Sequence, residues 1–274
     1  MELYLRYPGF KTKVVTLSYD DGPEHDRRMI EILDKYGIKC TFNLISGSID
    51  KKSEEEKQAF IKLYKDTVHE VACHTVSHPH LDNLSTAEIV NEVINDRIFL
   101  EKYFGTIAYG MAYPFGYTYK EGQLEALKLC GIKYARTTQS THGFNLPADW
   151  LLLNPTCHHN DPKLFELVDE FLKPDDIEHP WRIKTKMFYM WGHSFEFPQQ
   201  NNWNVLEEFC RKIANRDDVW YATNAQIYNY VEAYNNLKKS ADGNIVYNAS
   251  STDVYVRTAA NNLVIIKAGE TVNL

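Results

Sequence analysis

The stretch Val14-Val15-Thr16-Leu17-Ser18-Tyr19-Asp20-Asp21-Gly22-Pro23 organises the rest of the chain. Its apolar, β-branched first half predicts a short buried strand, and the Gly-Pro pair at its end predicts a turn. Two adjacent carboxylates at a strand end repel each other, so we expect either a bound cation or a proton shared between them. The alternative interpretation is an acidic turn in solvent, because Asp-Gly turns are common.

Segments of two kinds alternate from this strand up to about residue 240. Apolar runs predict strands at 38–44, 67–74, 107–113, 132–136, 150–153, 186–191 and 219–222. Amphipathic runs predict helices at 27–36, 53–66, 85–104, 121–130, 162–172, 201–216 and 225–238. This alternation is typical of an α/β fold with a parallel sheet, and seven or eight units favour a closed or nearly closed barrel. No glycine-rich phosphate motif follows a predicted strand, so a nucleotide site has no support.

The residues after Ser240 follow a different pattern. Runs at 244–247, 253–258 and 263–267 predict strands, separated by turns rich in Ser, Thr, Asn and Gly. Residues 241–274 are too few to bury a core of their own. We therefore expect an α/β barrel over residues 1–240 and a small β-rich extension over residues 241–274 that packs against it.

Composition narrows the range of partners. The 274 residues carry a net charge of -7, whereas nucleic-acid and anionic-membrane surfaces need clustered Lys and Arg. No stretch approaches the roughly 20 apolar residues of a membrane span. The first residues lack a signal-peptide pattern, and the five cysteines are scattered. These features predict a cytoplasmic protein with reduced thiols, and they leave the oligomeric state open.

Histidines collect where the predicted strands end, which is where parallel α/β folds carry their chemistry. Six of the ten follow such ends: His74, His78, His80, His158, His159 and His193. His74 and His78 are four residues apart, so their imidazoles would face one side of a helical turn, and Asp20-Asp21 would add a carboxylate. Two histidines and one carboxylate leave positions open for water and substrate, as in catalytic metal sites. His80 is a competing ligand in the same loop.

Four short motifs resemble those of one enzyme family. Residues 18–23 (Ser-Tyr-Asp-Asp-Gly-Pro) resemble the (Thr/Ser)-(Phe/Tyr)-Asp-Asp-Gly motif of the polysaccharide deacetylases, carbohydrate esterase family four with the NodB-homology domain. Residues 74–78 (His-Thr-Val-Ser-His) resemble the family's His-(Ser/Thr)-x-x-His motif. Residues 112–116 and 190–193 resemble its third motif and its late Leu-x-x-His motif more loosely. The resemblance runs from about residue 13 to residue 223.

The resemblance implies a distorted (β/α)7-type barrel that hydrolyses acetyl groups from a carbohydrate, with N-acetyl favoured over O-acetyl. Asp21, His74 and His78 would bind a divalent metal, most often Zn2+, with Co2+ or Ni2+ as alternatives. Asp20 would be the general base and His193 the general acid.

The resemblance also implies residues that contact the substrate. The backbone N–H near Phe115 would hold the oxyanion, and Tyr113 and Trp191 would lie beside it. Ala112 stands where the family usually has an arginine that contacts the catalytic base. We expect Arg136, at the next strand end, to supply that charge. The alternative is that Arg136 is an ordinary surface residue.

Other features leave alternatives open. His158 and His159 have no counterpart in these motifs and would either line the substrate cleft or cap a loop. Asp149-Trp150 partly matches the family's fourth motif, although Trp150 also suits the core. The same metal site would suit a small non-sugar amide. A catalytically silent sugar-binding barrel is the non-enzyme alternative.

Overall fold

The computed structural model describes residues 2–176 and 178–274. The strands are β1 Leu3–Arg6, β2 Lys13–Asp21, β3 Cys40–Leu44, β4 Glu70–Cys73, β5 Gly110–Ala112, β6 Tyr134–Arg136, β7 Cys157–His158, β8 Lys186–Gly192, β9 Val219–Tyr221, β10 Lys238–Lys239, β11 Ile245–Tyr247, β12 Val254–Thr258, β13 Leu263–Ile266 and β14 Thr271–Asn273. The helices are α1 Asp26–Tyr36, α2 Ser46–Asp50, α3 Glu54–Tyr64, α4 Thr86–Phe104, α5 Gln123–Leu129, α6 Leu164–Phe171, α7 Glu196–Gln199, α8 Trp203–Ile213 and α9 Asn224–Asn235. Among these residues, no helix combines the length and the apolar character needed to cross a membrane.

A curled parallel sheet forms the centre of the molecule. Its strand order is β6-β5-β4-β3-β2-β8-β7, and β9 pairs with the first residues of β2. The segment between β6 and β8 closes the curl, because Leu153 bridges Arg136 and the Thr156 N–H donates to the Tyr189 carbonyl (2.8 Å). The predicted α/β barrel is confirmed. Since the strands are parallel, their carboxyl ends meet at one rim.

Strand β2 lies inside this sheet and is buried over residues 13–20. It pairs with β3, β8 and β9, which explains the apolar run in its sequence. Its buried polar residues have partners, as burial requires. Lys13 Nζ donates to Asp218 (2.7 Å) and to the Lys173 carbonyl (3.0 Å), and Thr16 donates to Asn224 (2.8 Å). The strand therefore reaches the rim with its two carboxylates as its last residues.

The prediction of a strand over residues 150–153 is wrong. Trp150–Leu152 is a short 3-10 helix, because the Asp149 side chain accepts a hydrogen bond from the Leu151 N–H (2.9 Å) and stabilises a helical start. The strand that pairs with β8 is instead β7. The Trp150 ring packs edge-on against Tyr228 at 5.3 Å between centroids, so it contributes to packing.

Two small antiparallel sheets lie outside the barrel sheet. One has the order β1-β12-β13 and the other β10-β11-β14. Strand β1 was not predicted, and it brings the start of the chain into the C-terminal part. Leu3, Leu237, Val254 and Val256 form a buried apolar cluster there. The division of the chain at residue 240 stays a prediction.

Candidate active site

Charged and imidazole side chains from four strand ends meet at the rim of the barrel. Strand β2 ends in two of them, the loop after β4 carries two, β6 ends in one and the loop after β8 carries one. The set consists of Asp20, Asp21, His74, His78, Arg136 and His193. Their convergence follows from the parallel sheet, because these positions are far apart in the sequence.

Asp21, His74 and His78 form a triangle of ligand atoms, called the metal triangle below. The Nε2 atoms of His74 and His78 are 3.1 Å apart, and they lie 3.4 and 3.5 Å from Asp21 Oδ1. Within the described residues, that buried oxygen has no hydrogen-bond partner. Ligand atoms at ~2.1 Å from a tetrahedral Zn2+ are about 3.4 Å apart. The three predicted ligands are therefore together, in an arrangement that fits a divalent cation.

Neighbouring groups orient the two histidines. His74 Nδ1 lies 2.9 Å from the Ala112 carbonyl, so Nδ1 carries the proton and Nε2 presents its lone pair to the triangle. Asp96 on α4 accepts a hydrogen bond from the His74 N–H (2.9 Å). Thr75 Oγ1 accepts one from the His78 N–H (3.0 Å). The loop after β4 is thus held at both ligand positions.

The backbone is strained at the same place. Asp21, Thr75, His78 and Phe115 have positive φ angles of 74°, 67°, 56° and 60°. Non-glycine residues in this region cost about 1–3 kcal/mol each and collect at functional sites. Four of them around one triangle indicate that the fold holds these side chains in place at the expense of stability.

The electrostatics of the triangle suit metal binding. Burial alone would raise the pKa of Asp21, but the nearby His74, followed by His193 and His78, lowers it. Burial and then the charge of His74 lower the pKa of His78. An ionised carboxylate and a neutral imidazole are the forms that ligate metals.

Asp20 faces different partners from its neighbour. Arg136 Nη2 donates to Asp20 Oδ2, and Asn43 Nδ2 donates to Oδ1 (2.8 Å). Arg136 is fully buried, with its guanidinium 4.3 Å from the centre of the Trp191 ring. The surface interpretation of Arg136 is therefore wrong, and the predicted contact with Asp20 is present. Asn43 was not predicted, since an asparagine within a strand run carries no signal of its own.

His193 faces both aspartates. Its Nε2 lies 4.0 Å from Asp20 Oδ2 and 4.0 Å from Asp21 Oδ2, and its Nδ1 lies 2.9 Å from Glu196 Oε1. Burial would lower the pKa of His193, but the hydrogen bond to Glu196 and the charges of Asp20 and Asp21 raise it. A protonated imidazole is able to donate a proton to a leaving group. Glu196 was missed in the sequence, although its spacing of three residues from His193 was a usable signal.

The loop after β5 presents Phe115 at the rim. Its ring is 59% exposed and stacks on His80, with 3.8 Å between centroids. The Tyr113 N–H donates to the Arg136 carbonyl (3.0 Å), and the Tyr113 hydroxyl donates to the Leu151 carbonyl (2.8 Å). Both donors of Tyr113 are thus used within the fold. The Phe115 N–H is the candidate oxyanion donor, and His80 packs on Phe115 outside the metal triangle.

A comparison with protein families matches the part of the chain that carries most of these residues. The sequence model of the family described as polysaccharide deacetylase matches residues 8–135, just under half of the chain. Residues 8–135 are thus similar in sequence to the polysaccharide deacetylases. The predicted resemblance is thereby confirmed. The matched range contains both aspartates, the two histidines of the metal triangle and Phe115, whereas Arg136 and His193 lie beyond it.

Curated deacetylases match part of the chain. A peptidoglycan-N-acetylglucosamine deacetylase from Bacillus cereus is 25% identical over 93 residues, which are 33% of this chain and 41% of the relative. A chitooligosaccharide deacetylase from a Bradyrhizobium species is 31% identical over 85 residues, 30% of this chain and 36% of the relative. The matched span thus covers less than half the length of either relative.

Solved structures of the family share the fold. A Mycobacterium smegmatis protein assigned as a polysaccharide deacetylase matches with a TM-score of 0.61 at 20% identity, over 85% of this chain and 95% of its own. A Bacillus anthracis pseudoenzyme of carbohydrate esterase family 4 matches with a TM-score of 0.51 at 17% identity, over 82% and 68% of the two chains. At such identities the likeness shows the deacetylase barrel alone.

Proposed function

We propose that this chain is a metal-dependent deacetylase that hydrolyses acetyl groups, N-acetyl rather than O-acetyl, from a carbohydrate. One observation carries the proposal. The metal triangle lies beside a buried carboxylate, Asp20, and beside an imidazole, His193, that Glu196 contacts on its other ring nitrogen. Ligands, base and acid are all present around one point. The deacetylase relatives support the substrate class.

Asp21, His74 and His78 would hold the cation, with Zn2+ favoured because two imidazole nitrogens and one carboxylate suit it. Co2+ and Ni2+ are alternatives for the same donor set. A divalent cation in this place supplies Lewis acidity to the acetyl carbonyl and to the attacking water.

The other residues supply the proton transfers. Asp20, oriented by Arg136 and Asn43, accepts the proton of the attacking water. The Phe115 N–H donates to the oxyanion that develops on the acetyl carbonyl, which is where a fixed donor lowers the barrier most. His193 then donates its Nε2 proton to the leaving nitrogen of the sugar. Base and acid are two separate groups, so one pH serves both roles.

The two aspartates provide the sharpest test. We expect Asp21→Ala to lose zinc and turnover, and Asp20→Asn to keep one equivalent of zinc while losing turnover. Zinc content is measured by atomic absorption after dialysis, and turnover by acetate release from N-acetylated chito-oligosaccharides. Equal zinc content in the two variants would contradict the division of roles. Full activity after chelation would contradict metal dependence.

A silent sugar-binding barrel is the second candidate, favoured by the fold shared with a pseudoenzyme. It predicts oligosaccharide binding without acetate release under Zn2+, Co2+ and Ni2+ alike. The same assay with small linear and cyclic amides tests the remaining alternative. Faster turnover of an amide than of any acetylated sugar would assign the site to non-sugar substrates.

A further inference from the structure

A cluster of polar side chains lies on the Nδ1 side of His193. Glu196 Oε2 lies 2.9 Å from His159 Nε2 and 3.2 Å from His158 Nε2, and it accepts a hydrogen bond from Asn160 Nδ2 (3.1 Å). Glu196 Oε1 lies 2.9 Å from His193 Nδ1. We infer that Glu196 is a positioning residue for His193 and that His158 and His159 hold Glu196 in place. The inference rests on the proposed function, in which His193 is the general acid.

A second metal ion is the obvious alternative, because His158, His159 and Glu196 lie close enough together to hold one. The hydrogen bonds argue against it. The Asn160 N–H donates to His158 Nδ1 (3.1 Å), so the proton of the neutral ring is on Nε2 and points at Glu196. A ring nitrogen that carries a proton does not ligate a metal. In His74 the arrangement is the reverse, since Nδ1 faces a carbonyl.

His159 is the most constrained member of the cluster. Its ring stacks on Phe197 (4.3 Å between centroids) and on Tyr19 (5.7 Å, planes 5° apart). The Tyr19 hydroxyl lies 3.2 Å from His159 Nδ1, and as a donor there it leaves the imidazole proton on Nε2, the nitrogen that lies 2.9 Å from Glu196 Oε2. Gly192 makes room for the ring, because a Cβ at that position would overlap it.

This packing decides what Glu196 is able to do. Oε2 accepts the Asn160 hydrogen bond and lies 2.9 and 3.2 Å from the two imidazole nitrogens, so Oε1 is the oxygen that meets His193. An accepting Oε1 keeps a proton on His193 Nδ1 and turns Nε2 towards Asp20 and the substrate. A misplacement of about 1 Å in a catalytic group costs on the order of 10²-fold in rate. The cluster therefore acts on turnover through the orientation of His193.

The test is Glu196→Gln, which keeps the size of the side chain and removes the second accepting oxygen. We expect kcat to fall on the order of 10²-fold, with KM, zinc content and Tm unchanged. The downfield proton resonance of His193 Nδ1–H, assigned by its absence in His193→Ala, is expected to disappear in Glu196→Gln. Asp176→Asn is the matched control, because Asp176 also pairs with a histidine three residues away (2.8 Å) at an exposed position. It is expected to change nothing.

Gly192→Ala and Tyr19→Phe test the support of Glu196 while leaving its carboxylate intact. We expect both substitutions to lower kcat, as Glu196→Gln does. The effect should be stronger for Gly192→Ala, because its methyl group displaces the His159 ring. Unchanged kcat and an unchanged His193 resonance in Glu196→Gln would overturn the inference. A fall in Tm that accounts for the whole loss of kcat would also overturn it, since the role would then be structural.

Two further measurements distinguish this inference from its alternatives. Binding of a second zinc equivalent to the wild type, lost in His158→Ala, would overturn the inference in favour of a second metal site. The resonance of His193 is measured without substrate, so it tests the contact even if no acetylated sugar is hydrolysed. If the wild type hydrolyses the substrate and Glu196→Gln does so equally well, the positioning role is refuted while the proposed function stands.

Discussion

At the scale of single residues, Asp20 and Asp21 are neighbours in the chain with different surroundings. Asp20 is buried and bonded to Arg136 and Asn43, whereas Asp21 turns its Oδ1 to two imidazole nitrogens. The positive φ of Asp21 (74°) accompanies this divergence at the end of β2. The same residue type therefore occupies two chemical environments, one suited to proton transfer and one to ligation.

Arg136→Ala is expected to affect stability and turnover together. Removal of one partner from a buried ion pair costs about 3–5 kcal/mol, because the other charge stays buried without compensation. Turnover should fall because Asp20 loses the group that orients it. Urea unfolding and kcat/KM are compared with those of Arg136→Lys, which keeps the charge but not the planar fork. An intact kcat/KM in Arg136→Ala would refute the idea that Arg136 serves the base.

The buried carboxyl of Asp26 should make the free energy of unfolding depend on pH. It is fully buried, and burial raises its pKa to about 7 although Ser194 and Tyr64 donate hydrogen bonds to it. In the unfolded chain an aspartate titrates near ~3.9, so between about pH 4 and pH 7 the folded state binds the extra proton. The free energy of unfolding should therefore fall as pH rises through this window, by a few kcal/mol in order of magnitude, and level off above it.

Asp26→Asn mimics the protonated side chain and provides the comparison. We expect the variant and the wild type to be equally stable near pH 4, and the variant to be more stable near pH 8. Urea unfolding with chelator present keeps metal binding out of the measurement. Parallel curves for the two proteins would show that Asp26 does not titrate in this range.

At the scale of elements, helix α4 anchors two rim loops through one side chain. Asp96 accepts hydrogen bonds from the Ser46 N–H (3.0 Å) and from the His74 N–H (2.9 Å). The first lies after β3 and the second directly after β4. A single buried carboxylate thus holds the end of β4, next to the proposed ligand His74, against the loop after the neighbouring strand.

Asp96→Ala is expected to weaken zinc binding about 10–100-fold, the range found when a group that supports a ligand is removed. The reason is the loss of the acceptor for the His74 N–H, although no ligand is changed. Competition titration with a fluorescent zinc chelator measures the Kd. Asp161→Asn is a control for a carboxylate that pairs with a histidine (2.7 Å) outside the triangle. Equal affinity in wild type and Asp96→Ala would contradict this role.

At the scale of the whole molecule, the two ends of the chain are joined through β1 and helix α9. Strand β1 pairs with β12, and the hydroxyls of Tyr230 and Tyr234 donate to the carbonyls of Arg6 and Leu3 (both 2.6 Å). The five cysteines are buried free thiols within this fold. The expected cytoplasmic location stays a prediction.

Val256→Ser tests whether the C-terminal strands stabilise the barrel. Val256 is fully buried beside Leu3 and Val254, so the substitution loses apolar contacts and buries a hydroxyl, at a cost of about 2–4 kcal/mol. We expect one cooperative unfolding transition, shifted to lower temperature. Leu263→Ser on the adjacent strand is the control, because Leu263 is exposed and such changes stay within about 0.5 kcal/mol. A separate early transition would show an independent extension.

Much of the site was predictable from the sequence, because the chemistry of its residues depends on short spacings. The pair Asp20-Asp21 ends an apolar strand run, and His74 and His78 lie four residues apart, so local patterns and family motifs identify both. The alternation of strands and helices likewise predicted a parallel barrel, and parallel strands bring these ends to one rim.

Other features needed the tertiary structure. Arg136 had two interpretations in the sequence, and only its burial against Trp191 and Asp20 decides between them. Asn43 carries no motif, since its role depends on Asp20, which is distant in the chain. Glu196 lies three residues from His193, but that spacing acquires a role only when the fold brings both side chains to the rim. The short helix at residues 150–152 was also not predicted, because the hydrogen bond that the Leu151 N–H donates to the Asp149 side chain outweighed the strand propensity of the run. The spacing of residues in the sequence determines which ligands are available to a metal. The packing of the folded chain determines which other polar side chains contact those ligands.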